Sequence, residues 1–476
     1  MTTLARPTDA PPIPRSFWIE EAQAATGAAP QPPLRGDVTA DLCIVGGGYT
    51  GLWTAIRALE HQPRLRVIVL EADVCGHAAS GRNGGFCLSW WAKIETLVER
   101  VGEREAVELA RASTDAIEEI GRFCEADGID AHYRRDGWIW TATSPAQERA
   151  WRGAMAAAER LGERPFAPLE ADEIRRRLGS PVHRGGVFEA AAATVQPALL
   201  AYGLRTAALR RGAVIHEHSP VVAIDRDEGV VRTADGAVRA PAIVLATNAW
   251  LGREPRLARA VLPISSDVVA TEPVPELLEE IGWTDGTAVS NSRLMVDYYR
   301  TTRDGRIVFG RGGGAIKWRG RFGSDFDHDP IRTVVATAAL RRLVPAFHTV
   351  AITHAWGGAV DRSTDGLPFF GRLPGRARVL YAAGMSGNGV APSVLAGRVL
   401  ASLALGLDDR WSRCGLVGGP PGRFPPEPLR FLGGSLVRAA VQRKETREDD
   451  GLPVDWLTRR LAALAPSGFF KVSDDE

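Results

Sequence analysis

The chain has 476 residues, enough for two domains or for one large composite domain. Its charge is nearly balanced, with 58 Lys and Arg residues against 57 Asp and Glu residues, which gives no sign of a nucleic-acid partner. No apolar run reaches the roughly 18–20 residues that a membrane span needs, and residues 1–33 lack the apolar core of a signal peptide, so we expect a soluble, cytoplasmic protein.

The first 36 residues are predicted to form an extended arm on the surface. Prolines each lack a backbone N–H and fix φ, so they argue against a long helix in this segment. Six of them stand at positions 11, 12, 14, 30, 32 and 33. The aromatic stretch at 17–19 is where such an arm would dock on the rest of the chain.

A strand–helix–strand unit over residues 41–71 is the clearest local pattern. An apolar run at 41–45 leads into three consecutive glycines, a helical pattern follows, and a second apolar run at 67–70 ends at Glu71. Glu71 stands where a carboxylate accepts hydrogen bonds from an adenosine ribose. An ordinary tight turn between strand and helix is the alternative.

The glycines of this unit have the spacing G-x-G-x-x-G. Gly46 permits the tight turn, Gly48 lets a pyrophosphate approach the backbone, and Gly51 lets helix and strand pack closely. A diphosphate would then lie on the helix N-terminus, where unpaired N–H groups favour an anion. The unit therefore predicts a dinucleotide site.

A loop of small residues follows this unit. It consists of Ser80, Gly81, Arg82, Asn83, Gly84 and Gly85. Because it has little side-chain bulk, the loop can lie against a flat or charged ligand, and Arg82 can neutralise a phosphate. A flexible hinge is the alternative.

Residues 93–184 interrupt the nucleotide-binding pattern and predict an inserted domain. Helical spacing is found at 93–126, 146–161 and 171–178, with a strand at 133–141. Residues 256–350 are predicted to complete the insertion. Its remaining elements are strands at 266–271, 293–300 and 306–310 and a helix at 331–343.

Strands and helices alternate again between 185 and 255. The predicted elements are a strand at 187–189, a helix at 197–211, a strand at 213–216, a hairpin turn at 234–237 and a buried strand at 242–247. The last strand ends at Thr247 and Asn248, small polar residues at the carboxyl end of a strand, where α/β sheets bind ligands.

A second glycine-rich turn at 381–390 leads into a predicted helix from Pro392 to about Leu405. The tail, 411–476, shows one short apolar stripe at Leu457, Leu461 and Leu464. The stripe predicts a peripheral helix, with a partner-binding helix as the alternative.

The five cysteines are odd in number and show neither Cys-x-x-Cys nor Cys/His ligand spacing. They are Cys43, Cys75, Cys87, Cys124 and Cys414. We expect reduced thiols, no disulfide framework and no metal site.

In this order, the motifs resemble the flavin-dependent oxidoreductases of the D-amino-acid oxidase superfamily. The resemblance covers roughly residues 37–410 and rests on the first glycines with Glu71, on 80–85, on 244–248, and on 361–368 with 384–389. Within the superfamily, the 80–85 loop and the triplet at 356–358 are most similar to bacterial amine oxidoreductases of the γ-glutamylputrescine oxidase type.

The resemblance implies an α/β fold with a discontinuous, Rossmann-like FAD-binding domain and an inserted α+β substrate (cap) domain. The FAD-binding parts would be 37–92, 185–255 and 351–410, and the cap parts 93–184 and 256–350. The arm 1–36 would precede them, and 411–476 would form a peripheral C-terminal extension.

The same resemblance implies FAD as the cofactor. We expect non-covalent binding, because the linking cysteine of some sarcosine oxidases lies just before the stretch that resembles 360–367, and this chain has none there. The implied cofactor-binding residues are Gly46, Gly48, Tyr49, Thr50, Gly51, Glu71, Ser80, Gly81, Arg82, Asn83, Gly84, Gly85, Val222, Thr247, Asn248, Gly384, Gly387, Asn388, Gly389 and Val390.

The implied reaction is hydride transfer from the carbon next to nitrogen in a small amine or amino acid to flavin N5. The resulting imine would hydrolyse to an aldehyde or keto acid, and O2 is the expected electron acceptor. One alternative is a dehydrogenase of the same fold that acts on a hydroxy acid or passes electrons to a quinone or protein partner. Another is a flavin-binding accessory protein without turnover.

Four residues are candidates for contact with the substrate. Tyr298, Tyr299 and Arg300 lie on a strand whose counterparts in the family line the open face of the flavin. A tyrosine would orient the substrate, Arg300 would hold a carboxylate or phosphonate, and Trp356 would wall the pocket. The alternatives are a tyrosine pair divided between core and surface, and a core tryptophan.

Overall fold

The structure, a computed structural model, describes residues 14–321, 323–375 and 378–466. Its α-helices are α1 (Phe17–Thr26), α2 (Tyr49–His61), α3 (Ile94–Val101), α4 (Glu103–Asp127), α5 (Arg152–Arg160), α6 (Ala171–Leu178), α7 (Pro197–Arg210), α8 (Pro275–Glu280), α9 (Ser324–Asp327), α10 (Pro330–Leu343), α11 (Pro392–Leu405), α12 (Leu429–Asp449) and α13 (Trp456–Ala462). None of these helices combines the length and the apolar character needed to cross a membrane.

The strands of the described residues form four sheets. They are β1 (Gly36–Thr39), β2 (Leu42–Val45), β3 (Val67–Leu70), β4 (Phe86–Cys87), β5 (Trp138–Thr141), β6 (Ala167–Leu169), β7 (Gly186–Glu189), β8 (Ala193–Thr194), β9 (Val214–His216), β10 (Ala223–Asp225), β11 (Val230–Arg232), β12 (Gly236–Arg239), β13 (Ala242–Leu245), β14 (Leu262–Thr271), β15 (Ala288–Asn291), β16 (Asp297–Thr301), β17 (Ile307–Arg311), β18 (Ile352–Arg362), β19 (Phe369–Leu373) and β20 (Arg378–Ala383).

A six-stranded sheet in the order β19-β20-β13-β2-β3-β9 carries the nucleotide-binding pattern. Its strands run parallel except for β19, which pairs antiparallel at the edge. Every residue of β2, β3 and β13 is buried, as expected for parallel strands covered on both faces. Helices α2 and α11 pack closely because Gly397 has no Cβ, which would lie 2.5 Å from Trp53 Cβ. The predicted α/β class with a Rossmann-like sheet is confirmed.

An eight-stranded mixed sheet in the order β18-β14-β17-β16-β15-β5-β7-β6 forms the second body. The proposed domain boundaries at 185 and 351 assign β7 and β18 to the FAD-binding part, whereas both strands belong to this sheet. β18 pairs with β14 from Ile352 to Arg362, so the chain returns to the six-stranded sheet only after Arg362. Both boundaries therefore move to the C-terminal side of these strands.

A helix replaces part of the expected N-terminal arm. The prolines at 14 and 30 lie on either side of α1, so they limit its length but do not prevent it from forming. Phe17 and Trp18 are buried in one apolar cluster with Trp356. The arm is therefore docked on the body from residue 17 onward, while residues 1–13 lie outside the described residues.

Several other element boundaries also differ from the sequence prediction, among them those of α3, β5, α5 and β16. The long helical pattern divides into α3 and α4 at Gly102, where φ is 81°. β5 starts only after Gly137, which has a φ of 82°. α5 begins at Arg152, and β16 begins at Asp297. Positive φ at glycine and tertiary contacts, neither visible in hydrophobic spacing, account for these shifts.

The C-terminal tail contains α12, a helix of 21 residues that apolar spacing did not predict. Its buried residues are Arg430, Ala440, Val441 and Glu445, so the buried face is partly polar and its apolar part is short. The predicted peripheral helix is present as α13. However, Leu457 and Leu464 are exposed, and of the three stripe residues only Leu461 packs against an apolar cluster, which also contains Ala440 and Val441 of α12.

Glu189 on β7 is a buried acid and provides a test of pH-dependent stability. Burial raises its pKa from 4.5 to about 7, while a hydrogen bond from Ser89 acts in the opposite direction. Between these pH values the unfolded chain ionises Glu189 and the folded protein keeps it protonated. The folded state therefore loses stability as the pH rises through this interval, by on the order of 3 kcal/mol.

We expect Glu189→Gln, which cannot ionise, to raise the free energy of unfolding by up to about 3 kcal/mol at pH 8 and to change it little at pH 4.5. Urea denaturation of both proteins at the two pH values measures the difference. Glu280→Gln, at an exposed position of α8, controls for the loss of an acid. A difference that is the same at both pH values would contradict the assignment.

Candidate active site

The first glycine turn joins β2 to α2 with little space for side chains. Gly46 has a φ of 110°, and a Cβ on it would lie 2.5 Å from the carbonyl oxygen of Ala246. A Cβ on Gly51 would lie 2.0 Å from the carbonyl oxygen of Gly46. Gly48 is the residue just before α2. The turn therefore has the close backbone packing that the spacing of the glycines predicts.

Glu71 lies beside this turn. Its Oε2 accepts a hydrogen bond of 2.6 Å from the N–H of Gly47, and its Oε1 accepts one of 3.0 Å from Asp73. Burial raises the pKa of Glu71, whereas these backbone donors lower it. The carboxylate is only partly exposed and is held at the end of β3, next to the helix N-terminus.

Two further predicted residues are Val222 and Thr247, and only Thr247 is in contact with the turn. The backbone N–H of Ser219 donates to the carbonyl oxygen of Glu71 at 2.8 Å. Val222 follows three residues later and is 68% exposed. Thr247 follows β13, with its N atom 3.5 Å from the position of a Cβ on Gly46.

The 80–85 loop is bonded to the first helix turn. Ser80 Oγ accepts a hydrogen bond of 2.9 Å from the N–H of Tyr49, and Tyr49 Oη donates to the carbonyl oxygen of Pro197 at 2.7 Å. Asn83 closes the loop on itself, since its Oδ1 accepts from the N–H of Gly85 at 2.7 Å. Thr50 and Gly81 complete this region, in the first turn of α2 and in a short 3-10 turn.

Arg82 connects the loop to the cap. Its Nε donates to the carbonyl oxygen of His77 at 2.7 Å, and its Nη1 pairs with Asp327 of α9. Trp356 Nε1 donates to the carbonyl oxygen of Arg82 at 2.8 Å. Arg82 is thus already ion-paired, and a phosphate would compete with Asp327 for it.

The second glycine turn is held by a residue that sequence reasoning missed. Asp361, fully buried in β18, accepts hydrogen bonds from three consecutive N–H groups, those of Gly384 (2.6 Å), Met385 (3.2 Å) and Ser386 (3.3 Å). Burial raises the pKa of Asp361 to about 6, although the hydrogen bonds from these three N–H groups lower it. The resemblance includes the motifs 361–368 and 384–389, but the sequence does not show what Asp361 does, because its role depends on β18 and the turn meeting in space.

The same turn carries an unpaired acceptor. Asn388 Nδ2 donates to the carbonyl oxygen of Ser89 at 3.1 Å, whereas the buried Oδ1 of Asn388 has no hydrogen-bond partner among the described residues. Gly389 and Val390 follow, just before α11. Such an unpaired buried acceptor fits a ligand N–H group.

Tyr298 is the predicted substrate residue that faces the glycine loop. Its ring would be 2.8 Å from a Cβ on Gly84 and 2.0 Å from one on Gly310, so both glycines are needed to fit it. Tyr298 Oη lies 3.0 Å from Ser266 Oγ. Burial raises the pKa of Tyr298 to about 12, so the phenol stays protonated and can donate a hydrogen bond.

Tyr299 and Arg300 do not fit the roles proposed for them. Tyr299 is fully buried on the opposite face of β16 because side chains alternate along a strand, and its Oη lies 3.2 Å from His183 Nε2. Arg300 donates to the carbonyl oxygens of Gly84 at 3.0 Å and Val195 at 2.5 Å. Its guanidinium thus holds backbone and does not serve as an open carboxylate site.

Trp356 also has a packing role. It is 2% exposed and lies in the apolar cluster of α1, with its indole N–H bonded to the loop. Trp356 therefore holds the backbone of Arg82 in place. It fits the alternative of a core tryptophan better than the prediction of a pocket wall.

Together these residues fit FAD. The first glycine turn has no Cβ atoms that would block a diphosphate, and Glu71 places a carboxylate beside it. The second glycine turn has the unpaired Oδ1 of Asn388 and lies before α11, a helix of 14 residues. The two turns lie at the ends of β2 and β20, which are separated by only β13 in the sheet. One extended cofactor can therefore contact both.

Comparison with known proteins agrees with the fit of these residues to FAD. The family model described as "DAO: FAD dependent oxidoreductase" matches residues 41–403. The gamma-glutamylputrescine oxidoreductase of Escherichia coli is 32% identical over 394 residues, which cover 82% of this chain and 89% of that protein. The "Probable oxidoreductase OrdL" of Haemophilus influenzae is 30% identical over 389 residues, covering 80% of this chain and 86% of that protein.

Among solved structures, glycine oxidase from Geobacillus kaustophilus superposes with a TM-score of 0.64 at 23% identity, covering 78% of this chain and 96% of that one. This similarity supports the fold. The family match spans most of the chain and ends before α12 and α13. The chain belongs to the DAO family of FAD-dependent oxidoreductases.

Proposed function

We propose that this protein uses FAD to oxidise the C–N bond of a small amine or amino acid, with O2 as the electron acceptor. The substrate loses a hydride from carbon and a proton from nitrogen, and water then converts the imine to an aldehyde or keto acid plus an amine or ammonia. O2 accepts the two electrons and leaves as hydrogen peroxide. The names of two relatives, a gamma-glutamylputrescine oxidoreductase and a glycine oxidase, support this substrate class.

One observation carries the proposal: Tyr298 of the cap packs against Gly84 of the loop predicted to follow the cofactor. The hydroxyl group of Tyr298, with Ser266 beside it, can orient a substrate between the two sheets. Because burial keeps this phenol protonated, it acts as a hydrogen-bond partner and not as a base.

In this proposal, Gly46, Gly48, Gly51 and Glu71 hold the adenosine diphosphate half of FAD without a covalent link. Bound FAD supplies the acceptor for the hydride. The 384–390 turn, kept in place by Asp361, would hold the pyrimidine end of the flavin. There the N-terminus of α11 favours negative charge.

An anaerobic flavin-bleaching screen tests the function. The purified holoprotein is mixed with polyamines, γ-glutamyl amines, N-methyl amino acids, D-amino acids, aminophosphonates and hydroxy acids, and air is then readmitted. We expect at least one amine class to bleach the flavin, at a rate that rises with the fraction of neutral amine, and air to restore the colour rapidly.

Each other outcome of the screen selects an alternative. Bleaching by hydroxy acids alone, with a rate that does not follow an amine pKa, would identify a hydroxy-acid dehydrogenase. Slow recolouring in air but fast recolouring with a quinone would show that a quinone, and not O2, is the electron acceptor. A flavin that no compound bleaches would indicate an accessory protein.

A further inference from the structure

Helix α1 contacts the 80–85 loop directly. Ser16 holds the N-cap position of α1, yet its Oγ donates to the carbonyl oxygen of Gly81 at 3.0 Å, and it accepts no cap hydrogen bond from the described residues of the helix. A Cβ on Gly81 would lie 3.3 Å from Ile19 Cγ1 of the same helix. The family match begins at residue 41, so these contacts come from a segment that precedes it.

Trp18 of α1 reaches the loop through Arg300. Trp18 is 1% exposed, and the guanidinium carbon of Arg300 lies 4.9 Å from the centre of its ring, which is a cation–π contact. The same guanidinium donates to the carbonyl oxygens of Gly84 at 3.0 Å and Val195 at 2.5 Å. The indole ring therefore packs on the group that holds the end of the loop.

Gln196 fixes α1 relative to these contacts. Its Nε2 donates to the carbonyl oxygen of Trp18 at 2.8 Å, and its Oε1 accepts from the N–H of Leu199 as the N-cap of α7. The preceding residue, Val195, donates from its N–H to the carbonyl oxygen of Gly85 at 2.8 Å. Helix α1, the loop and the start of α7 therefore share one hydrogen-bond network.

Trp356 provides a further connection between α1 and the loop. It lies in one apolar cluster with Phe17 and Trp18, and its Nε1 donates to the carbonyl oxygen of Arg82 at 2.8 Å. Loss of a large ring from α1 would therefore also remove packing that supports Trp356.

These contacts fix the orientation of the loop backbone. The carbonyl oxygens of Gly81, Arg82 and Gly84 accept hydrogen bonds from Ser16, from Trp356 and from Arg300. In a planar trans peptide unit the carbonyl and the following N–H point in opposite directions, so the same contacts set the direction of the N–H groups that follow. Backbone N–H groups are what such a loop offers to an anion.

We propose that α1 positions the 80–85 loop for FAD, and that Trp18 is a positioning residue that acts through Arg300. Ordering a loop when a ligand binds costs affinity, and α1 supplies this order in advance. Loss of the contact should therefore weaken FAD binding and change the surroundings of the flavin. This role goes beyond the proposed function, because it concerns FAD and does not depend on the substrate.

Replacement of Trp18 tests this role. We expect Trp18→Leu to raise the Kd for FAD about tenfold, the affinity equivalent of one cation–π contact away from water. Trp18→Phe keeps a ring over Arg300 and should raise Kd less than about threefold. Titration of each apoprotein with FAD, followed by flavin fluorescence, measures these values.

Phe347→Ala is the control for a general loss of stability. Phe347 is 1% exposed and belongs to a different apolar cluster, in the cap. Urea denaturation should show that this variant loses at least as much stability as Trp18→Leu, because a buried ring is removed. We expect its Kd for FAD to stay at the wild-type value.

A double-mutant cycle shows whether Trp18 acts through Arg300. Once Arg300→Met has weakened FAD binding, we expect Trp18→Leu to add less than about twofold, because both changes break the same chain of contacts. Ser16→Ala removes only the separate hydrogen bond to Gly81 and should raise Kd about threefold. Because this change is small, it tests the role of α1 in a folded protein even if Trp18→Leu does not fold.

The flavin provides a readout that a loss of stability alone would not change. At saturating FAD, we expect Trp18→Leu and Ser16→Ala to shift the flavin absorbance spectrum and midpoint potential, and Phe347→Ala to match the wild type. Equal Kd values in Trp18→Leu and Phe347→Ala, or a wild-type Kd in Ser16→Ala, would overturn the role of α1. Full additivity of Trp18→Leu and Arg300→Met would overturn the route through Arg300. If no amine bleaches the flavin while the Kd values change as expected, the proposed function fails and the role of α1 stands.

Discussion

Replacing Arg293 with methionine is expected to lower the free energy of unfolding by about 3–5 kcal/mol. Arg293 is 4% exposed and donates to Glu445 Oε2 from Nη2 at 3.1 Å and from Nε at 3.2 Å. It also pairs with Asp449. Methionine fills much of the volume but leaves the buried Glu445 without this cation and Asp449 with Arg342 alone.

The same ionic cluster of Arg293, Glu445 and Asp449 attaches α12 to the part of the cap that contains β16. Glu445 Oε1 accepts from the N–H groups of Leu294 at 2.6 Å and Met295 at 3.1 Å, in the segment that leads into β16. Asp297, the first residue of β16, pairs with Arg311 at 3.0 Å. Loss of Arg293 should therefore also loosen the strand that carries Tyr298.

The pH dependence makes the test specific. Burial raises the pKa values of Glu445 and Asp449, and Arg293 is the largest opposing influence on each. Without Arg293 both pKa values rise further, so the lost stability should be greatest at pH 8 and smaller near pH 5. Urea denaturation at the two pH values measures this. Arg443→Met, which removes an exposed ion pair between α12 and Asp455, should cost less than about 1 kcal/mol. An equal loss in both variants would contradict the assignment.

Replacing Gly51 with alanine is expected to weaken FAD binding by about 10- to 100-fold. The new Cβ would lie 2.0 Å from the carbonyl oxygen of Gly46 and 3.2 Å from Ile44 Cγ2. Since a backbone oxygen cannot rotate away, α2 must move off β2 and carry the helix N-terminus with it. Overpacking of this kind costs about 1–3 kcal/mol, which corresponds to the stated loss of affinity.

Titration of the apoprotein with FAD, followed by flavin fluorescence, measures this effect. Gly433→Ala in α12 is the matched control, because nothing lies within 4 Å of a Cβ at that position. It should leave FAD affinity unchanged and stabilise the helix slightly. Wild-type FAD affinity in Gly51→Ala would show that the close packing of helix and strand is not needed for the site.

The cofactor half of this protein was predictable because its constraints are local. A glycine at Gly51 is required by Gly46 and Ile44, which lie a few residues away in the same strand–turn–helix unit. Pro392 likewise marks the start of α11, and the helix ends at Leu405 as the pattern predicts. Such features leave their mark in the spacing of neighbouring residues.

The substrate half was decided by contacts between distant segments. Tyr298 and Tyr299 are adjacent in sequence, yet only strand pairing determines which one faces the loop, because a shift of one residue exchanges the two faces. The partners of Arg300, Asp361 and Arg293 are separated from them by 23 to 216 residues. Helix α12 was not predicted because a buried ionic cluster anchors it beside a short apolar patch, and the burial of those charges is defined only once the cap has folded against them.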